Sequence, residues 1–242
     1  MASIEFYQTT TSTMDVAREL ARQGREEGTI VVAGTQTQGR GRAGSEWLSP
    51  EGGAWFSVIL KPNIEPDKTH RVVFLAGVCV CGALNELCGL DTTIRWPNDI
   101  MLSGKKLAGV LGETLETDAG SYAIVGIGVN TNFGGSVLPE WLREEATTTL
   151  DATGGRVDNE TIIKRIADLL VSRSAELSDV YPRILEEWLE YSDTVGQTVE
   201  VDGKPAGRAV RLDEEGFLVV KDERGEKRIV SGNIRYSGLR KG

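Results

Sequence analysis

The stretch Asp67–Leu90 constrains the fold of this chain more than any other. It contains Val72-Val73-Phe74-Leu75-Ala76, Val78-Cys79-Val80-Cys81 and Ala83-Leu84, so a helix drawn through it is apolar on nearly every side. Such a helix must be covered all round, which places it at the centre of a core. The segments around it read as its cover. Thr29–Thr35 and Ala54–Leu60 are apolar and β-branched, as buried strands are, and Thr92–Trp96 is a short strand stopped by Pro97. Lys106–Thr114 and Ser121–Thr131 read as paired strands joined by a turn at Thr117–Gly120. Ser12 or Thr13 caps a helix whose apolar face is Val16, Ala17, Leu20 and Ala21, and Gly24 and Gly28 close it. Asp158 or Asn159 starts another, running to about Ser178, and Pro182 opens a shorter one to Tyr191.

From Val195 the period changes. Short alternating runs at Thr198–Val201, Gly207–Leu212, Phe217–Lys221 and Glu226–Val230 are separated by Asp202-Gly203, Glu215-Gly216 and Arg224-Gly225. Runs of that kind predict a small all-β module that needs docking to a larger body to be robust. The expected fold class is therefore α+β. A mixed β-sheet domain with flanking helices spans residues 1–193, and a small β domain spans 194–242.

Charge and cysteine usage narrow the function. The net charge of −9 argues against a nucleic-acid surface, because that kind of binding is led by phosphate neutralisation. Cys79, Cys81 and Cys88 are an odd number in one apolar stretch and read as reduced, buried thiols. His70 is the only histidine, so no multi-histidine metal site can form. There is no basic-then-apolar leader, and no uninterrupted apolar run approaches the roughly 18 residues of a membrane span. The expected location is the cytoplasm.

Four short segments carry chemistry. In Gly39–Trp47, Arg40 and Arg42 alternate with Gly39, Gly41 and Gly44, and Trp47 closes the run. Glycines bring backbone N–H groups close to an anion and arginine forks suit phosphate or carboxylate, so this basic loop in an acidic chain is expected to bind an anion and to be mobile. Its bland reading is a solvated surface loop. Arg95-Trp96-Pro97-Asn98-Asp99 is either plain turn chemistry or a pair of polar groups turned into a pocket, where Asp99 pairs with an arginine or reaches Mg2+ through water. Lys106 opens the apolar run Leu107-Ala108-Gly109-Val110, so its ammonium either reaches a pocket or solvates a strand edge. Gly126-Ile127-Gly128-Val129-Asn130 alternates glycines in a strand, which is weak unless something packs against the backbone.

In order and spacing these segments resemble the catalytic domain of biotin protein ligases. The glycine-arginine loop with its tryptophan, Trp96–Asp99, Lys106–Gly109, Gly126–Asn130 and the upstream Ser12-Thr13 carry the resemblance, over about residues 5–135. It implies an SH3-like β-barrel for the C-terminal module, and ATP with Mg2+ as cofactors. Biotin is activated as biotinyl-5′-AMP and passed to a lysine of a biotin carboxyl carrier protein or domain. The catalytic candidates are then Lys106, Arg42 and Asp99. Ser12, Thr13, Gln36, Gly39, Arg40, Trp47, Lys106 and Gly109 are matched to biotin. Arg40, Arg42, Trp47, Asn98 and Asn130 are matched to ATP and the adenylate, and Asp99 to the metal through water. No nucleic-acid or membrane partner is expected, and an edge strand around Ser121–Thr131 is where a second copy would pair. Some family members carry an N-terminal DNA-binding domain. With Ser12-Thr13 so early none fits here, and the implied protein is a ligase without repressor activity. The family usually has Asn after the Ser-Thr pair, where this chain has Met14. The rival readings are a lipoate–protein ligase and a non-catalytic biotin-binding protein.

Overall fold

In the computed structural model, residues 3–118, 120–175 and 177–236 are described. The first part of the chain builds β1 (Ile4–Thr10), α1 (Thr13–Arg22), β2 (Ile30–Gln36), β3 (Ala54–Leu60), α2 (His70–Cys88), β4 (Thr93–Arg95), β5 (Asp99–Leu102), β6 (Lys105–Thr117) and β7 (Gly120–Val129). The short helices α3 (Glu140–Arg143) and α4 (Thr149–Thr153) follow, then α5 (Asn159–Ser174) and α6 (Leu177–Tyr191). The chain ends in β8 (Thr198–Val201), β9 (Lys204–Leu212), β10 (Leu218–Asp222), β11 (Gly225–Ile229) and β12 (Ile234–Tyr236).

The first seven strands form one mixed sheet in the order β1-β2-β3-β7-β6-β5-β4, in which only β1 and β2 run parallel. The uninterrupted apolar run of β3 has a simple cause: both of its faces are covered. Phe56, Val58 and Leu60 point into the large core with α2, α5 and α6, while Ile59 joins Met14, Ala17 and Ala21 of α1 on the opposite face. Helix α2 lies between the sheet on one side and α5 and α6 on the other, with Leu75, Cys79 and Leu84 almost solvent-free. By length and composition α2 could cross a bilayer, which a search for uninterrupted apolar runs misses, but its apolar surface is mostly spent inside this core.

The second sheet is antiparallel, in the order β11-β10-β9-β8-β12. Among the described residues β11 and β12 do not pair, so the expected barrel is an open five-stranded sheet. It is docked firmly. Val199, Leu218, Val220 and Ile234 continue the large core. Trp96 donates through its backbone N–H to Thr194 Oγ1 (3.0 Å) and through Nε1 to Gly216 O (3.0 Å). Glu215 receives Lys68 at 2.7 Å and Arg71 at 3.0 Å.

Two further expectations need correction, and three strands are unforeseen. The Ser121–Thr131 region is not an edge: β7 is flanked by β3 and β6, and the free edges are β1 and β4. Pro182 does not open a helix but lies inside α6. The strands β1, β5 and β12 have no counterpart in the sequence reading; β5 is only four residues long and owes its form to its ladders with β4 and β6.

Candidate active site

The loop after β2 is a pinned hairpin. Trp47 N–H donates to Gly39 O (2.9 Å) and Gly41 N–H to Ser45 O (2.7 Å), and Arg42–Gly44 forms a 3-10 turn with Ala43 at φ +52°. The glycine-rich composition therefore serves a specific shape.

Together with the start of α1, the facing ends of β5, β6 and β7, and Asn233 from the second sheet, the loop encloses a cleft of about 110 Å3. Of the residues expected in a site, Ser12, Thr13, Gln36, Arg40, Arg42, Trp47, Asn98, Asp99, Lys106 and Gly109 all line it. One end is polar and rigid. Ser12 Oγ caps α1 by accepting from Met14 N–H (3.3 Å). Thr13 Oγ1 lies 2.8 Å from Ser57 Oγ, its backbone N–H donates to Gln36 Oε1 (2.8 Å), and Gln36 Nε2 donates to Ser49 Oγ (2.8 Å). Hydrogen bonds of this density fix hydroxyl and amide groups in orientation and leave their remaining capacity for a polar ligand.

The apolar part of the lining is Met14, Leu111 and Trp47; Phe56, Val110 and Ile127 also border the cleft, but their side chains are spent in the large core on the other face of the sheet. Trp47 lies against the sheet over Gly109 and Gly128. A Cβ at Gly128 would come 2.5 Å from Trp47 Nε1, and one at Gly109 2.9 Å from the indole. The alternating glycines thus have a physical cause, because the indole needs a strip of bare backbone. The resemblance matches Gly109 to biotin; here its open face is covered by this ring.

The cations divide into three arrangements. Lys106 Nζ is 2.6 Å from Asp99 Oδ1 and 5.1 Å from the centre of the Trp47 ring. Arg40 donates to both oxygens of Asp15, at 2.9 and 2.8 Å, with Glu113 at 3.9 Å. The hydrogen bond from Arg40 holds the Asp15 carboxyl below its ordinary range, and the Arg40 guanidinium is raised in turn. Arg42 instead meets neutral oxygens, Asn98 Oδ1 at 3.2 Å and Gly232 O at 3.4 Å. Burial pulls Arg42 below the usual arginine value, partly offset by the charges of Asp99 and Asp202.

Two candidates fall outside the cleft lining. Gly39 sits behind it, at the base of the hairpin. Asn130 is buried and donates to Thr147 O (3.1 Å) and Lys106 O (3.5 Å), so it ties the Thr147 segment to β6. Its place in a motif is explained by that anchoring. Asp15, Glu113 and Asn233 are absent from the expected site residues, since each is far along the chain from what it serves. Asn98 does two things at once. Its Nδ2 donates to Val110 O (2.6 Å), which fixes the Oδ1 that holds Arg42. Among the described residues no group of three histidines, cysteines or carboxylates could hold a metal ion. Asp99 is a single carboxylate already facing Lys106, which fits a Mg2+ ion carried in by substrate phosphates and water better than a resident one.

The sequence model of the biotin/lipoate A/B protein ligase family matches residues 6–130, which include all four motifs. The chain belongs to this family. It is 36% identical over 235 residues to the bifunctional ligase/repressor BirA of Bacillus subtilis, covering 95% of this chain and 72% of that protein. It is 28% identical over 217 residues to the biotin–[acetyl-CoA-carboxylase] ligase of Paracoccus denitrificans, covering 86% and 90%. The biotin protein ligase of Aquifex aeolicus, solved in complex with biotin and ATP, superposes with a TM-score of 0.81 at 30% identity, covering 98% of this chain and 100% of that one. The likeness to that ligase therefore extends beyond the matched 6–130 segment and across the second sheet.

Proposed function

We infer that this chain is an ATP-dependent biotin–protein ligase. In the first step a biotin carboxylate oxygen attacks the α-phosphorus of MgATP. The bond to pyrophosphate breaks, leaving biotinyl-5′-AMP. In the second, the neutral amine of an acceptor lysine attacks the acyl carbon, AMP departs, and the nitrogen loses a proton. The observation that carries this reading is one cleft in which Lys106, Arg40 and Arg42 stand beside the fixed Ser12–Thr13–Gln36 cluster and an apolar slot.

The residues meet the demands of the reaction. Two anions must come together in step one, and preorganised cations cancel their repulsion without having to reorganise. Lys106 is placed to contact the carboxylate and the α-phosphate together, and Asp99 fixes the direction of its ammonium. Arg42 faces the phosphate side. Ser12, Thr13 and Gln36 offer the donors and acceptors a ureido ring needs, and Trp47 covers the slot and excludes water from the reactive anhydride. The acceptor is a biotin carboxyl carrier domain of a carboxylase, and the protein acts in the cytoplasm. The acidic charge of the chain supports a ligase that does not work on DNA.

Biotin-dependent exchange of labelled pyrophosphate into ATP tests step one, and intact-mass analysis of a carrier domain incubated with biotin, lipoate or neither tests step two. The expected result is exchange and one added biotinyl group. Incorporation of lipoate but not biotin overturns the reading. Lys106→Ala should lower exchange by roughly 10²–10³ while keeping the fold, and wild-type turnover in that variant removes Lys106 from the chemistry.

A further inference from the structure

Among the described residues the C-terminal sheet reaches the cleft through the Gly232–Asn233 segment leading into β12. Asn233 lines the cleft, and Gly232 O accepts from the same Arg42 nitrogen that donates to Asn98 Oδ1. Arg42 therefore depends on two neutral oxygens from two different sheets. The first is locked by Val110 O. The second is locked by Asp202, in the turn between β8 and β9. Asn233 N–H donates to Asp202 Oδ1 (2.8 Å), and Asp202 N–H donates back to Asn233 O (3.0 Å). Gly232 has φ +147°, and a Cβ there would lie 2.5 Å from Val201 Cγ1, so this close approach to β8 takes a glycine and the hydrogen bonds to Asp202 are what orient the segment.

We propose that Asp202, an exposed turn residue of the C-terminal sheet, is a positioning residue for adenylate formation, acting through Gly232–Asn233 to hold Arg42 toward the nucleotide. The proposal rests on the biotin-ligase reading. Without the carboxylate, the segment keeps one of its two reciprocal hydrogen bonds. The Gly232 carbonyl is then free to swing, and Arg42 retains only Asn98. What suffers is the group facing the phosphates; the Ser12–Thr13–Gln36 cluster lies on the other side of the loop and is untouched. Asp202 also contributes charge that favours the Arg42 guanidinium, so geometry and field act in the same direction.

Asp202→Gly is the variant of choice, because Asp202 has φ +51° and glycine keeps that turn while deleting only the side chain. In pyrophosphate exchange with the full chain, the expected result is a rise of about 5–20-fold in KM for ATP, the scale of one lost hydrogen bond to a charged network, with KM for biotin within about twofold of wild type. Asp202→Asn keeps an acceptor at the same atom and should recover most of the loss. In an Arg42→Ala background, Asp202→Gly should add less than about a further twofold, since the group it positions is gone. An equal loss with and without Arg42, a parallel rise in biotin KM, no recovery by Asn, or a wild-type Asp202→Gly overturns the proposal. Absence of biotin-dependent exchange in the wild-type chain would instead overturn the ligase reading itself.

Discussion

The two ends of one hairpin hold their arginines in opposite ways. Arg40, on the α1 side, is matched by carboxylates: both oxygens of Asp15, with Glu113 close by and Arg18 sharing Asp15 and Glu113. Arg42, on the side of the C-terminal sheet, is half-buried against oxygens that carry no full charge. Two residues apart in sequence, one guanidinium is neutralised in place and the other keeps its charge available. A charge-assisted pair anchors a loop; a partly desolvated cation with neutral partners attracts an anion. The difference teaches that the loop is a lever fixed at Arg40 and active at Arg42.

The sharpest way to break that contrast is to delete each arginine. Arg42→Ala should lower the rate of adenylate formation by roughly 10²–10³, the cost of removing one preorganised transition-state donor. Arg40→Ala should cost only about tenfold, as a lost anchor does. Single-turnover formation of the adenylate from biotin and MgATP measures both. If the two variants fall equally, or Arg40→Ala falls further, the division of labour between them is wrong.

Trp47 closes the hairpin that carries both arginines, so moving its ring should disturb both ends. Gly128→Ala places a methyl group where the indole lies, 2.5 Å from Nε1, and the sheet backbone beneath cannot yield. The indole must leave the strip of bare backbone. The expected outcome is a loss of about tenfold in exchange with a changed tryptophan emission, within the roughly 1–3 kcal/mol range of overpacking. Unchanged emission and activity would mean that the ring is not seated on Gly128.

Much of the fold and the site is legible in the sequence, and the rest is hidden for physical reasons. Ala54–Leu60 reads as a buried strand and is one, because an apolar run at that length is a local signal. Ser12 caps α1 as its residue type predicts. The cleft residues from Ser12 to Gly109 are visible as motifs. Their partners are not. Asp15 and Glu113 look like ordinary surface acids until the fold brings them to Arg40, and Asp202 looks like simple turn chemistry. Asn130 shows the reverse: it is visible as part of a motif, while the two backbone carbonyls its amide serves are not. Pro182 resembles a helix start because proline favours that position, but tertiary packing of Leu177, Tyr181 and Ile184 extends α6 in front of it.

The smallest effect separates the two ends by pH. The Asp15 carboxyl is held below its ordinary value by Arg40, so its pairing stabilises the fold fully above the unfolded-state value of about 4 and is lost as pH falls through the lower, folded one. Asp15 is 35% exposed, so solvent screens the pair, and Asp15→Asn should cost less than about 1 kcal/mol at neutral pH. Urea unfolding of both proteins should show that gap at about pH 7, its shrinkage from about pH 4 downward, and its closure only once pH has fallen through the lower folded-state value, where the wild-type carboxyl is itself protonated. The Arg42 end has no acid in its direct contacts, so Asn98→Ala should carry a cost that does not follow this titration. A gap for Asp15→Asn that persists at low pH would mean that the α1 end is held by packing, and that the two arginines differ in strength of attachment only.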